Sequence, residues 1–325
     1  MMTYPMNISV RRIEREVIDM KTIYILLLPI VVLLVWLGLN YRQLYAAWAI
    51  RSESSRLEKI AANTAEQYQN PEPLEDNFDG ELSPGFWNFS IINGAGKVSH
   101  EDAWHATAMT LHDGLTIHHI LDPEFKNENA DLTHQPAAEQ YNNLTLIGGR
   151  GFRPTPFHDV VLRFSSEYSD PFYGTAGVIF QPVGALREDG MFAKPFDMFG
   201  FSIAGQESSI QGVNGTLCYL ALNWMPVKVK ALPVEPYALH DVEIRLRWIS
   251  QTKWQGILAV DDVVLCEMSL PAFGLVEVHV WSDNSLVLYK PQRWWEIAPA
   301  LDLKFQDGGD KWFALGYIKI FAEAR

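Results

Sequence analysis

The chain has 325 residues and a formal net charge of −13, with 48% hydrophobic and 12% aromatic residues. Residues 60–325 are more acidic still, with 18 Lys or Arg against 34 Asp or Glu, a balance of −16. Such a surface repels phosphate backbones and gathers no arginine cluster, so nucleic acid is excluded as a partner and broad docking on anionic lipid is disfavoured. The charge places no constraint on neutral sugars.

Residues 1–21 form a short polar tail holding Arg11, Arg12, Arg15 and Lys21. The next segment, TIYILLLPIVVLLVWLGLNY at 22–41, has no charged residue. As a helix it is about 30 Å long at roughly 1.5 Å per residue, which matches a bilayer core. It exceeds a signal-peptide core, and no small-x-small cleavage pattern lies directly beyond it. Tyr24, Trp36 and Tyr41 sit near its ends, where aromatic rings favour the interface. The lipid bilayer is therefore the expected partner of residues 22–41. Arg42, Arg51, Arg56 and Lys59 balance the upstream cations, so flanking charge does not set the orientation. A leading span with little upstream commonly exports the domain C-terminal to it. The expectation is a single-pass plasma-membrane protein with a cytoplasmic tail and an extracytoplasmic C-terminal domain.

Residues 42–73 are expected to form a helical stalk and linker. LYAAWAIRSESSRLEKIAANTAEQYQ at 44–69 is rich in helix formers, and NPEP at 70–73 ends the helix because each proline restricts its predecessor and lacks an N–H.

From residue 74 the texture changes to short apolar or alternating runs between Gly, Pro, Asn and Asp. FWNFSII, LTLIG, DVVLRFSS, TAGVIFQPV, TLCYLALNW, VKVKAL, DVEIRLRWIS, GILAVDDVVLCEM, GLVEVHVWS, SLVLYK and FALGYIKIFAEA all read as strands. In DVEIRLRW, Val242, Ile244, Leu246 and Trp248 share one face, and Asp241, Glu243, Arg245 and Arg247 the other. In GLVEVHVW, Val276, Val278 and Val280 oppose Glu277 and His279. Many strands with turn signals and no long amphipathic helix predict an all-β two-sheet sandwich over 74–325. Cys218 and Cys266 are the only cysteines. They read either as a single disulfide or as two buried free thiols in neighbouring strands.

EDNFDGELSPGFWNFS at 75–90 resembles the opening strand of concanavalin A-like, laminin-G-like jelly rolls. DVEIRLRWISQTKWQGILAVDDVVLCEM at 241–268 resembles their paired strands and hairpin, with Asp261-Asp262 where Asp-Gly is commoner. GLVEVHVWSDN at 274–284 and YIKIFAE at 317–323 resemble the next and closing strands. The resemblance implies a jelly roll whose first and last strands lie close together in one sheet. It implies little about activity, because the fold serves lectins, glucanases, adhesive modules and spacers. Glycine- and proline-rich loops at 146–159, 184–200 and 205–215 read as insertions that frame a binding face.

Glycoside hydrolysis needs two carboxyl groups across the scissile bond. The E-x-D-x-x-E pattern of the glucanases of this fold is absent. Asp241 and Glu243, two apart on one strand face, are the nearest catalytic candidates, although a solvated face of alternating charge beside Arg245 and Arg247 accounts for them more simply. Asp261, Asp262 and Asp283 are candidate ligands for a calcium ion, since carboxylates suit a hard cation; no other cofactor is expected. DNFDGE at 76–81 reads first as a turn. GGRG at 148–151 lacks a helix after it and a phosphate-binding lysine, and no histidine joins a zinc pattern.

Sugar rings stack on exposed aromatic faces. The less regularly placed tryptophans, Trp254, Trp281 and the Trp294-Trp295 pair, are therefore the carbohydrate-binding candidates, against a background of aromatics that pack cores. The sequence supports a non-catalytic carbohydrate-binding module at the cell surface. A surface protein-interaction or scaffold domain and a divergent glycoside hydrolase are its alternatives, so catalysis stays open.

Overall fold

A computed structural model describes residues 69–92, 98–99, 109–118, 143–148, 150–172, 174–184, 197–205, 209–210, 212–222, 225–283, 286–289, 297–300 and 311–325. The chain divides into two units, 1–45 and 46–325, and every described residue lies in the second. The expected span at 22–41 and the stalk up to residue 68 lie outside the described residues.

The described chain is all strand. It begins with β1 (Leu74–Asp76), β2 (Trp87–Ile92), β3 (Val98–Ser99), β4 (Met109–Leu111), β5 (Leu115–His118) and β6 (Asn143–Gly148). Then come β7 (His158–Tyr168), β8 (Thr175–Pro182), β9 (Met198–Ala204), β10 (Gly215–Leu222), β11 (Met225–Ala231) and β12 (His240–Ser250). The last are β13 (Lys253–Val260), β14 (Val263–Pro271), β15 (Val276–Asp283), β16 (Leu286–Tyr289), β17 (Ile297–Ala300) and β18 (Trp312–Ala324). Two eight-stranded antiparallel sheets result. Sheet A runs β14-β13-β12-β7-β18-β5-β4, with β1 also on β18. Sheet B runs β11-β10-β9-β8-β15-β6-β2-β3, and β16 and β17 form a separate pair. The first strand lies against the last, Leu74 opposite Ile320, as the jelly-roll resemblance implied.

Alternation builds the core. In sheet A, Val242, Ile244 and Leu246 of β12 pair with Phe164, Leu162 and Val160 of β7, and all six are buried. In sheet B, Phe199 and Phe201 of β9 pair with Phe180 and Val178 of β8. The two sets meet face to face: Phe164 and Phe201 touch edge-on, with ring centroids 5.8 Å apart. Fully burying each such side chain contributes about 1.5–3 kcal/mol. The sheets approach closely at Gly256, where an added Cβ would lie 2.4 Å from the Phe199 ring.

The DNFDGELSPGFW segment owes its shape to Asp76. Its buried carboxylate accepts the N–H of Phe78 at 2.8 Å and of Ser83 at 2.9 Å. It also accepts the indole N–H of Trp87 at 2.6 Å. Both oxygens are therefore occupied by N–H donors, and Phe78 can hold φ 57° in the turn. This is turn construction, as the sequence suggested. The preceding linker is tied in at Asn70, whose side-chain amide donates to the Arg153 carbonyl and accepts the Arg153 N–H.

The outer face of sheet A is a charge lattice. Asp159, buried on β7, accepts hydrogen bonds from Arg247 at 2.9 Å and from the C-terminal Arg325 at 2.7 Å, with Arg245 at 3.4 Å. Arg245 also pairs with Glu243 and Glu323, and Arg163 with Glu243 at 2.8 Å. Neighbouring strands are thereby cross-linked over β18, β7 and β12. Burial by itself would raise the Asp159 carboxyl, but the bonds from Arg247 and Arg325 hold it below the ordinary aspartate value of 3.8. Its stabilising contribution is present above that value and is lost as pH falls through the lower folded value. Asp159→Asn is expected to lower stability at neutral pH by about 3 kcal/mol, the low end for breaking a buried ion pair, because the arginines keep some solvent. Urea unfolding at neutral pH and again below the aspartate range tests this. The gap between variant and native chain should shrink in acid, and a gap that does not change with pH contradicts the pairing.

Candidate functional site

The two outer faces differ. Sheet A exposes alternate residues: β12 runs from exposed Asp241 through half-buried Glu243, Arg245 and Arg247, and their charges neutralise one another. On sheet B, β8, β9 and β10 are buried at nearly every position, on both faces. The register defines what the second face carries. Glu277, His279, Trp281 and Asp283 of β15 sit opposite Gln181, Ile179, Gly177 and Thr175 of β8. Gly200 and Ser202 of β9, and Leu217, Tyr219 and Ala221 of β10, continue the same rows.

An aromatic patch occupies one part of this face. Ile179, Tyr219 and Ala221 form a small buried cluster, against which Met198, Val229 and Trp281 pack. Trp281 is half-buried and meets Tyr219 edge-on, with centroids 6.3 Å apart. The indole lies over Gly177, where an added Cβ would come within 2.7 Å of the ring. The missing side chain is what lets the ring lie down on the sheet.

A polar patch adjoins it. His279 Nε2–H donates to Glu277 Oε1 at 3.0 Å, and the Gly184 N–H donates to the same oxygen at 3.3 Å. Both side chains are buried, at 2% and 6% exposure. Gln181 Oε1 and Ser202 Oγ, equally buried, have no hydrogen-bond partner. A buried polar atom without a partner costs about 1–3 kcal/mol, and Ser166, Tyr168, Thr216 and Trp254 carry such atoms on the inner side of the sheets as well.

The residues singled out from the sequence fall in several places. Trp254 is corrected: it lies on β13, faces the sheet–sheet core with its edge on Phe273, and has 0% exposure. A sealed ring cannot stack on a sugar. Its flanking Lys253 and Gln255 suggested a turn, but they are the outward positions of an ordinary alternating strand. Trp281 stays a candidate, and Trp294 and Trp295 lie outside the described residues. Asp241 and Glu243 stand on the outer face of sheet A. There Asp241 accepts the Tyr317 hydroxyl at 3.3 Å, and Glu243 is held by Arg163 and Arg245. Asp261 and Asp262 form the β13–β14 turn, with φ 50° and 64°, the left-handed pair that a tight hairpin needs. Asp261 accepts from the Asp241 N–H and from His240 Nδ1–H. Asp283 belongs to the other sheet, so the calcium candidates are divided. Among the described residues, no group of three or more His, Cys, Asp or Glu is placed to hold a metal.

Sequence reading missed Gln181, Ser202, Tyr219 and Gly177. It placed Glu277 and His279 on a polar side without expecting their burial. The available signal was a carboxylate and an imidazole two apart in a valine-rich strand whose neighbours are almost wholly apolar.

No protein-family model matches the sequence, and no curated protein matches it. Solved structures do resemble the fold. The endo-β-1,3-glucanase from Pyrococcus furiosus superposes with a TM-score of 0.50 at 13% identity, over 80% of this chain and 97% of that one. The laminarinase from Flavobacterium sp. UMI-01 gives 0.48 at 12% identity, over 78% of this chain and 100% of that one. The lectin UEA-II in complex with galactose gives 0.42 at 10% identity, over 78% and 100%. The glucanase likeness agrees with the sheet order in assigning a concanavalin A-like jelly roll.

The Glu277–His279 pairing has a direct consequence. Glu277→Ala is expected to cost about 1–3 kcal/mol because it leaves the His279 donor buried and unpaired, while the exposed Gly184 N–H turns to water; Glu277→Gln keeps an acceptor and costs under about 1. Denaturant midpoints measure this, and equal losses in both variants contradict the pairing.

Proposed function

We propose that this chain is a membrane-tethered, non-catalytic carbohydrate-binding domain. Its ligand face is the outer face of sheet B, around Trp281. The carrying observation is the half-buried indole of Trp281, laid on Gly177 with its edge on Tyr219, which keeps part of its ring in solvent on a face that is otherwise buried. An aromatic platform takes the C–H face of a sugar ring. The fold is consistent with this, since the Pyrococcus furiosus structure that shares it is named as an endo-β-1,3-glucanase, although fold by itself does not assign function. The acidic balance of residues 60–325 favours a neutral glycan over an anionic one.

The geometry favours binding over hydrolysis. Paired glycosidase carboxyls stand about 5–9.5 Å apart. Glu277 and Asp283 are six residues apart on one strand, about 20 Å at roughly 3.3 Å per residue. Asp241 and Glu243 belong to the opposite sheet, and Glu243 is engaged by two arginines.

The location comes from the same reading. The apolar run at 22–41 anchors the chain in the plasma membrane, and the domain faces away from the cytoplasm. The Asn70–Arg153 clamp gives the linker a fixed attachment to the sandwich.

Calorimetric titration of the full chain in detergent, with soluble β-1,3-glucan, a galactose oligomer and alginate as the anionic control, tests the proposal. Binding to a neutral glycan is expected, with affinity falling about tenfold in Trp281→Ala, equivalent to about 1.4 kcal/mol. Undiminished affinity in that variant would remove Trp281 from the site. Absence of binding to every glycan would favour the alternative of a surface protein-interaction domain.

A further inference from the structure

Cys218 and Cys266 belong to different sheets. Cys218 is on β10, opposite Phe201 of β9 and facing the core. Cys266 is on β14, opposite Leu258 of β13, and faces the core from the other side. Both are free and buried. They meet where β10 and β14 come into contact, at the side of the sandwich bounded by the edge strands β11 and β14. The two thiols interact across this gap. The sequence expectation of neighbouring strands is thus corrected to opposite sheets.

The surroundings suit sulfur chemistry. Lys230, paired in register with Cys218, reaches over the gap and donates to the Leu265 carbonyl at 2.5 Å, next to Cys266. Lys228 donates to the Ser269 carbonyl at 3.4 Å. These lysines occupy carbonyls on the open edge of β14 and place positive charge beside the sulfurs. The neighbouring Cys218, aided by Lys230 and Lys228, holds the Cys266 thiol below its usual range. The neighbouring Cys266, together with burial, pushes Cys218 up. Cys266 lies on the edge strand beside the Lys230 ammonium, so it is the thiol placed to react first.

We infer that Cys218 and Cys266 form a redox-controlled staple, an intramolecular disulfide that joins sheet A to sheet B at the β11/β14 edge. The oxidant is a small-molecule disulfide, admitted when edge strand β14 opens locally. The Cys266 thiolate attacks one sulfur of the oxidant. A mixed disulfide forms, and one oxidant thiol leaves. The Cys218 thiolate then attacks the Cys266 sulfur, forming the inter-sheet bond and releasing the second oxidant thiol. Two protein thiols are oxidised and one disulfide is reduced to two thiols, with the departing thiolates taking up the two protons. The closed loop contains β11, β12 and β13, so the bond constrains a long segment of the unfolded chain.

The test incubates the full chain in detergent with oxidised glutathione, and then applies intact mass measurement and peptide mapping. The expected result is loss of two hydrogens, with a peptide containing Cys218 joined to one containing Cys266. The thermal midpoint should rise by roughly 5–10 °C, reversed by reductant. Glutathione-capped or unreacted cysteines after prolonged incubation would overturn the inference, as would chains linked to one another. Peptide mapping reads the bond in the native sequence, so the result does not depend on whether a cysteine variant folds. Cys266→Ser, where it folds, should take up no inter-sheet bond and show no shift; a shift that persists also overturns the assignment.

Discussion

A single apolar seam between two sheets constrains everything else in this domain. Side chains alternate along a strand, so once Val242, Ile244 and Leu246 enter the seam, Glu243, Arg245 and Arg247 must emerge on the far side. Once Val276, Val278 and Val280 enter it from the other sheet, Glu277, His279 and Trp281 must share the opposite face. A one-residue slip in register would exchange the two sets and bury the arginines in the core. The chemistry of both faces is therefore a by-product of how the core is packed.

The two faces use that consequence differently. On sheet A, acids and bases alternate within β12 and across to β7 and β18, so each charge finds a partner and Asp159 gathers the centre of the lattice. A face whose charges satisfy one another has little to offer a ligand. On sheet B, the outward positions hold a half-buried tryptophan, a buried acid–imidazole pair, and buried polar atoms left unpartnered. Residual hydrogen-bonding capacity, rather than charge, separates the two. The same seam carries the paired thiols at its open edge, where no described strand spans from one sheet to the other.

The fold is largely legible in the sequence, because strands that bury one face declare themselves by alternation. β12 and β15 read with the correct inward residues, and the motif from Asp76 to Trp87 marks the opening turn that one carboxylate does assemble. β9 is hidden: Met198–Ala204 adjoins a glycine- and proline-rich stretch and reads as part of a loop, although both its faces are buried. The site is much less legible. Trp254 looks irregular because lysine and glutamine flank it, yet polar neighbours are what an alternating strand places beside a core residue. Gln181 and Gly177 give no local signal at all. Their significance depends on β15 lying beside β8, a pairing between segments about a hundred residues apart.

The measurement closest to the central claim is amide hydrogen exchange of the full chain with and without a saturating neutral glycan. Slower exchange is predicted along Thr175–Pro182, Met198–Ala204 and Val276–Asp283, with His240–Val260 of sheet A unchanged. Protection confined to sheet A, with those sheet B strands unaffected, would contradict the assignment of the ligand face.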